Sequence, residues 1–110
     1  MLVLVKKYDI YLPLQYNDGR WIENENFDQV DDALYERFGG LTSVMREFPL
    51  RGLWGGESGV YRDLITIYTT IDFEPSESTT QFFEEYKEVL KSQFQQEEIL
   101  ITVQEIGIFA

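Results

Sequence analysis

The stretch VYRDLITIYTTIDF, residues 60–73, decides the fold. It is rich in β-branched residues and alternates cleanly, with Ile65, Ile67, Thr69, Ile71 and Phe73 on one face and Leu64, Thr66, Tyr68 and Thr70 on the other. That is a strand with two non-polar faces rather than one. Immediately after it, Pro75-Ser76-Glu77-Ser78 opens a helix, with Ser78 as the cap and Gln81 three residues on. Phe82, Phe83, Tyr86, Val89, Leu90 and Phe94 form the apolar stripe of that helix, and Glu84, Glu85, Lys87, Glu88 and Lys91 its wet side.

Upstream, a second helix is predicted to start at Asn26, with Gln29 completing a capping box. Phe27, Val30, Leu34 and Phe38 follow at spacings of three, four and four, and Gly39-Gly40 supplies the left-handed stop. Before it, residues 2–12 read as a long strand: Tyr8, Ile10 and Leu12 alternate with Lys7, Asp9 and Tyr11. Pro13 ends this strand, and Asn17-Asp18-Gly19 marks a turn. Leu41 to Phe48 is a weak strand, interrupted by Pro49 and Gly52, and Gly55-Gly56-Glu57-Ser58-Gly59 is a turn. Ile99 to Phe109 closes the chain as a strand.

The order is therefore β-α-β-β-α-β, an α+β ferredoxin-like sandwich in a single domain over residues 1–110. Right-handed crossovers place both helices on one face of a four-stranded antiparallel sheet, with the first and third strands central. The other face should then be polar. Yet Leu2 and Leu4 stand back to back with Val3 and Val5, Leu64 and Tyr68 with Ile65 and Ile67, and Leu100 with Ile99 and Ile101. An apolar face of that size asks for a cover. The economical cover is a second copy in a two-fold homodimer, the alternative being the chain's own hairpin or tail.

Composition narrows the chemistry. The chain has no cysteine and no histidine, which removes thiol nucleophiles, imidazole bases and Cys/His zinc sites. The net charge of −11 is not spread evenly: residues 23–40 contribute −5 and residues 72–98 contribute −6, whereas residues 41–71 are neutral. The acid belongs to the two helices, as solvated faces or as a docking surface. No basic patch offsets it, so nucleic acid is not an expected partner. Asp28, Asp31, Asp32 and Glu36 have the spacing of a wet helix face and not of a calcium loop, so no metal is expected. The apolar start Met1–Val5 meets Lys6-Lys7 after five residues, too short for a signal-peptide core, and no segment reaches membrane-span length. The expected location is the cytoplasm, with no cofactor and no membrane partner.

The neutral hairpin is where composition exceeds what a fold requires. Between Leu41 and Asp63 lie four of the eight glycines, Trp54, Tyr61, and three of the five arginines, Arg46, Arg51 and Arg62. Aromatic and guanidinium groups on a glycine-hinged ribbon suit the grip of a planar or anionic ligand or of a protein partner. They suit equally a hydrophobic cap on the core, with the arginines paired to Glu47, Glu57 and Asp63. Gly55-Gly56-x-x-Gly59 is not a phosphate loop, because no Lys-Ser/Thr follows and the next element is a strand. Asp63, beside Tyr61 and Arg62, is the carboxylate placed to act as a base or to orient a ligand, or else to pair with a neighbour on the sheet edge.

Phe38-Gly39-Gly40-Leu41-Thr42, Gly52-Leu53-Trp54 and Gly59-Val60-Tyr61-Arg62-Asp63 together resemble an uncharacterised family of small bacterial proteins with F-G-G-L-T, G-x-W and G-x-x-x-D elements. The resemblance implies a ferredoxin-like layout and no established activity; it points to Trp54, Tyr61 and Asp63 as the matching positions. Three functions compete. The first is a non-enzymatic dimeric module that binds a partner or a small molecule. The second is a small cofactor-free enzyme of the dimeric α+β-barrel type, similar to monooxygenases or lactone isomerases, working with Tyr, Asp and Arg. The third is an acidic mimic of nucleic acid that blocks a basic protein.

Overall fold

The computed structural model describes residues 1–56 and 59–110, with the side chain of Tyr61 outside that description. Seven elements follow in order: β1 (Leu2–Pro13), α1 (Asn24–Phe38), β2 (Thr42–Ser43), β3 (Leu50–Gly56), β4 (Gly59–Asp72), α2 (Glu77–Gln93) and β5 (Leu100–Phe109). All strand pairings are antiparallel, and the sheet runs β2-β4-β1-β5 with β3 also on β4. The ferredoxin-like α+β plan holds, with β1 and β4 central.

The sheet has five strands rather than four. The predicted strand from Leu41 to Phe48 shrinks to Thr42–Ser43, and a strand not predicted, β3, lies beyond Pro49. The cause is the length of β4. Fourteen residues at about 3.3 Å each span most of the molecule's 47 Å long axis. One edge of β4 therefore accommodates two partners in tandem, β2 against Tyr68 and Thr69 and β3 against residues 59–65. Pro49 precedes β3 and so costs it no ladder bond, and Gly52 sits inside it beneath the Trp54 indole. The predicted turn at Glu57-Ser58 lies outside the described residues.

The helix starts also move. Glu23, not Asn26, stands at the N-cap position of α1, and Ser76, not Ser78, at that of α2, neither with a side-chain capping bond. Asn26 instead lies in the first turn, where its amide donates to Glu23 Oε2 (3.1 Å) and to the Tyr16 hydroxyl (3.2 Å). Ser78 Oγ accepts a bond from Arg37 across the two helices at 2.8 Å. The Gly39 stop is as read: φ is +81°, and its N–H reaches the Tyr35 carbonyl at 2.8 Å. So is the turn at Asn17–Gly19, where Gly19 takes φ +90°.

Both helices pack on one face of the sheet. Phe27, Val30 and Leu34 of α1 and Phe83, Tyr86 and Leu90 of α2 join Tyr8, Ile10 and Leu12 of β1, Tyr68 of β4, Phe94 and Ile99 in one core. Tyr8 stacks on Phe83 with ring centroids 4.1 Å apart, and Phe27 meets Phe94 edge-on at 5.3 Å. Val89, read as part of the apolar stripe, is exposed instead. The row of β4 that faces the helices is the threonine row. Thr66 donates to the Val44 carbonyl (3.1 Å) and Thr70 to the Gly40 carbonyl (2.7 Å), fastening the chain after α1 to the sheet. Buried Asp72 accepts from the Thr79 hydroxyl at 2.5 Å and from the Glu74 N–H at 3.0 Å, which ties β4 to the start of α2. The isoleucine row, Ile65, Ile67 and Ile71, consequently lies on the face without helices.

Candidate functional site

Register fixes what shares that open face. Tyr11 stands between Ile67 of β4 and Leu100 of β5, Asp9 between Thr69 and Thr102, Lys7 between Ile71 and Gln104, and Val5 beside Ile106. The centre is polar: Lys7 lies 3.8 Å from Asp9, and Thr69 donates to Asp9 at 2.5 Å. Apolar groups flank it at both ends, with Val3, Ile71, Ile106 and Ile108 half-buried on one side and Tyr11 and Ile67 on the other.

The second end is shaped. β1 stops at Pro13, opposite Ile65, so the first residues of β4 run on past it, paired among the described residues with β3 alone. The space left beside Pro13 forms a groove of about 410 Å³, walled by Tyr11, Trp54, Asp63, Ile65 and Leu100 and closed by Gln96, Glu98 and Ile99. A second hollow of about 650 Å³ adjoins it, sharing Pro13, Asp63 and Gln96 and adding Tyr16, Arg62 and Glu97. These volumes fall in the range of small-molecule sites.

Trp54 owes its position to Gly52. Alternate residues of a strand share a face, and a Cβ on Gly52 would stand 2.7 Å from the Trp54 indole nitrogen and 3.0 Å from the adjoining ring carbons. The indole thus folds back over the bare glycine, which is buried beneath it. Asp63 is the direct cross-strand partner of Gly52, so the same absent side chain leaves the carboxylate room beside the ring. This gives the Gly-x-Trp spacing a physical meaning.

Of the six residues singled out in the sequence, Trp54, Arg62 and Asp63 line these two hollows. Tyr61 pairs with Trp54 in register through its backbone, and its side chain lies outside the described residues. Arg51 is exposed opposite Leu64 and lines neither hollow. Arg46 belongs to the helix side: its guanidinium lies 5.0 Å from the centre of the Phe27 ring and reaches the Tyr68 hydroxyl at 3.5 Å. There burial, aided by the nearby Asp31 carboxylate, pushes the Tyr68 hydroxyl above the usual tyrosine range, and burial likewise raises Asp31. These are packing roles. Conversely Tyr11, Glu98 and Leu100 carry no local signature, and only the meeting of β1, β4 and β5 brings them to the groove.

The rim of the site is acidic. Lys87 lies 2.7 Å from Glu98 and holds that carboxyl below its ordinary range. At the far wall the Tyr16 hydroxyl donates to the Glu23 carboxylate, which raises the tyrosine and lowers Glu23. Arg20 is paired with Asp18 at 2.7 Å. Among the described residues no three carboxylates converge as a metal-binding group, and no helix is long and apolar enough to cross a membrane.

No known protein family matches this sequence, and no curated protein is detectably similar to it. Three solved chains match by structure. A phage SAM lyase in complex with S-methyl-5′-thioadenosine superposes with a TM-score of 0.69 at 20% identity, covering 96% of this chain and 90% of that one. The same type of enzyme in its apo state gives 0.66 at 19% identity, covering 96% and 89%. CPII, a nitrogen regulatory PII-like protein from Thiomonas intermedia K12 bound to ADP, AMP and bicarbonate, gives 0.57 at 20% identity, covering 99% of both chains. At such identities the likeness establishes a shared fold.

Proposed function

We propose that this chain is a cytoplasmic, non-enzymatic small-ligand-binding module that works as a homodimer, and that its ligand is an adenine nucleoside. The observation that carries the reading is the groove beside Pro13, where the Trp54 indole, held over Gly52, faces a wall of Tyr11 and Leu100 beside the Asp63 and Glu98 carboxylates. An aromatic wall takes a purine face, and carboxylates accept bonds from ribose hydroxyls. The two neighbours whose ligands are named both hold adenine nucleosides or nucleotides, which supports the ligand class. The Gly-x-Trp and Gly-x-x-x-Asp elements are the ones that build this groove. The dimer contact is assigned to the opposite end of the open face, around Val3, Ile71, Ile106 and Ile108, so that the groove stays accessible.

Isothermal titration with adenosine and S-methyl-5′-thioadenosine tests the ligand. Saturable binding that Trp54→Ala weakens at least tenfold is expected; no heat with either compound overturns the reading. Light scattering behind size exclusion tests the dimer, and a monomer mass at all concentrations sinks that part. A second reading, a small cofactor-free enzyme, draws on the SAM lyase neighbour and on Tyr16, Arg62 and Asp63 sharing one hollow. It predicts turnover of a nucleoside substrate that Asp63→Asn abolishes.

A further inference from the structure

We infer that the groove selects phosphate-free adenine nucleosides, with a neutral or cationic 5′ substituent, over adenine nucleotides; this rests on the nucleoside reading above. The two neighbours divide on this point. One holds a thioether nucleoside and the other ADP and AMP, so shared fold alone does not choose between them. The side chains of this chain do.

A bound phosphate needs convergent donors: a helix N-terminus, a glycine loop ending in Lys-Ser/Thr, or free Arg and Lys side chains. Among the described residues, the lining of the two hollows holds one cation, Arg62, against Asp63, Glu97 and Glu98. Two other cations that touch lining residues are committed, Lys87 to Glu98 and Arg20 to Asp18, each at 2.7 Å. The start of α1 is no anion site either, because Glu23 stands at its N-cap position and Glu25 in its first turn, two carboxylates that repel an anion there. The glycines at 55, 56 and 59 join two strands and are followed by no Lys-Ser/Thr. A 5′-phosphate would bring about two negative charges into this carboxylate rim, on a chain already at −11. A thioether or sulfonium meets no such repulsion, and a sulfonium is attracted.

Fluorescence in a Trp21→Phe background, where Trp54 is the single indole, reads the groove directly, since Trp21 is exposed elsewhere. We expect S-methyl-5′-thioadenosine to quench Trp54 with an affinity at least tenfold above that of AMP. The gap should shrink several-fold in 0.5 M salt, and in the variant carrying Asp63→Asn with Glu98→Gln. AMP or ADP binding as tightly as the thioether nucleoside overturns the inference while leaving the nucleoside reading intact. Silence with all three ligands, repeated by calorimetry on the unaltered chain, overturns both.

Discussion

The two faces of one sheet have been put to different uses. On the helix side, the β4 row is Thr66, Tyr68 and Thr70, polar by composition yet buried, because each hydroxyl has a partner or a packed ring around it. On the open side, the β4 row is Ile65, Ile67 and Ile71, apolar by composition yet, apart from Ile65, only half covered. Hydropathy alone did not choose between the faces. The helices settle it, since they bring their own aromatic stripes and leave the sheet to supply hydrogen bonds to the returning chain.

The sharpest way to break this contrast is truncation on each side. Phe27→Ala, deep among Tyr68 and Phe94, is expected to lower unfolding stability by about 3–5 kcal/mol in chemical denaturation. Ile67→Ala on the open face should lose about 1 kcal/mol in the monomer, since its surface is only partly withdrawn from water. Equal losses would mean that the open face is already covered within one chain.

A smaller effect probes the buried polar side. Thr79→Val leaves an Asp72 oxygen without its hydroxyl donor, and the expected cost is about 1–3 kcal/mol. A neutral result would show that water reaches that carboxylate. Gly52→Ala tests the groove instead. Its methyl displaces the indole, so Trp54 emission should shift to the red and nucleoside affinity fall several-fold, with stability changed by less than about 1 kcal/mol. Unchanged emission in the single-tryptophan background would remove the account of Gly-x-Trp given above.

The mildest prediction concerns alkaline pH. Burial pushes the Tyr86 hydroxyl to about 12, above the value of 10.0 it has when exposed. A group whose pKa is raised by folding stabilises the native state fully below pH 10 and loses that contribution as pH climbs toward 12. Tyr86→Phe should therefore flatten the fall in stability across that window, measured by denaturation at fixed pH values. An unchanged slope would assign the alkaline sensitivity to Tyr8 or Tyr68, whose hydroxyls burial also raises.

Much of the architecture was legible because it is local. The stripe Phe27, Val30, Leu34 and the stop at Gly39 define α1 without reference to the rest of the chain. The alternation in residues 60–73 defines β4, and the absence of cysteine and histidine restricts the chemistry before any fold is drawn. The helix starts slipped by two or three residues because no side chain caps either helix: backbone carbonyls of Glu23 and Ser76 take the first N–H groups, while the Asn26 and Ser78 side chains bond Tyr16 and Arg37 instead. β3 escaped because Pro49 and Gly52 break the strand pattern, while the long free edge of β4 pays no attention to pattern and offers backbone partners to whatever passes.

The site divides along the same line. Trp54, Arg62 and Asp63 stood out by composition, and the tertiary structure brings them to two adjoining hollows, with Asp63 lining both, while sending Arg46 to the Phe27 ring and leaving Arg51 in solvent. Tyr11 and Leu100 join the groove from strands about ninety residues apart in sequence, paired to each other by register. By itself the sequence determined both helices, the three long strands, the acidic helix faces and the neutral ribbon, since periodicity and charge are properties of neighbours along the chain. Which face of the sheet the helices cover, and which residues meet where β1 ends, depend on contacts between distant segments, and only the folded chain decides them.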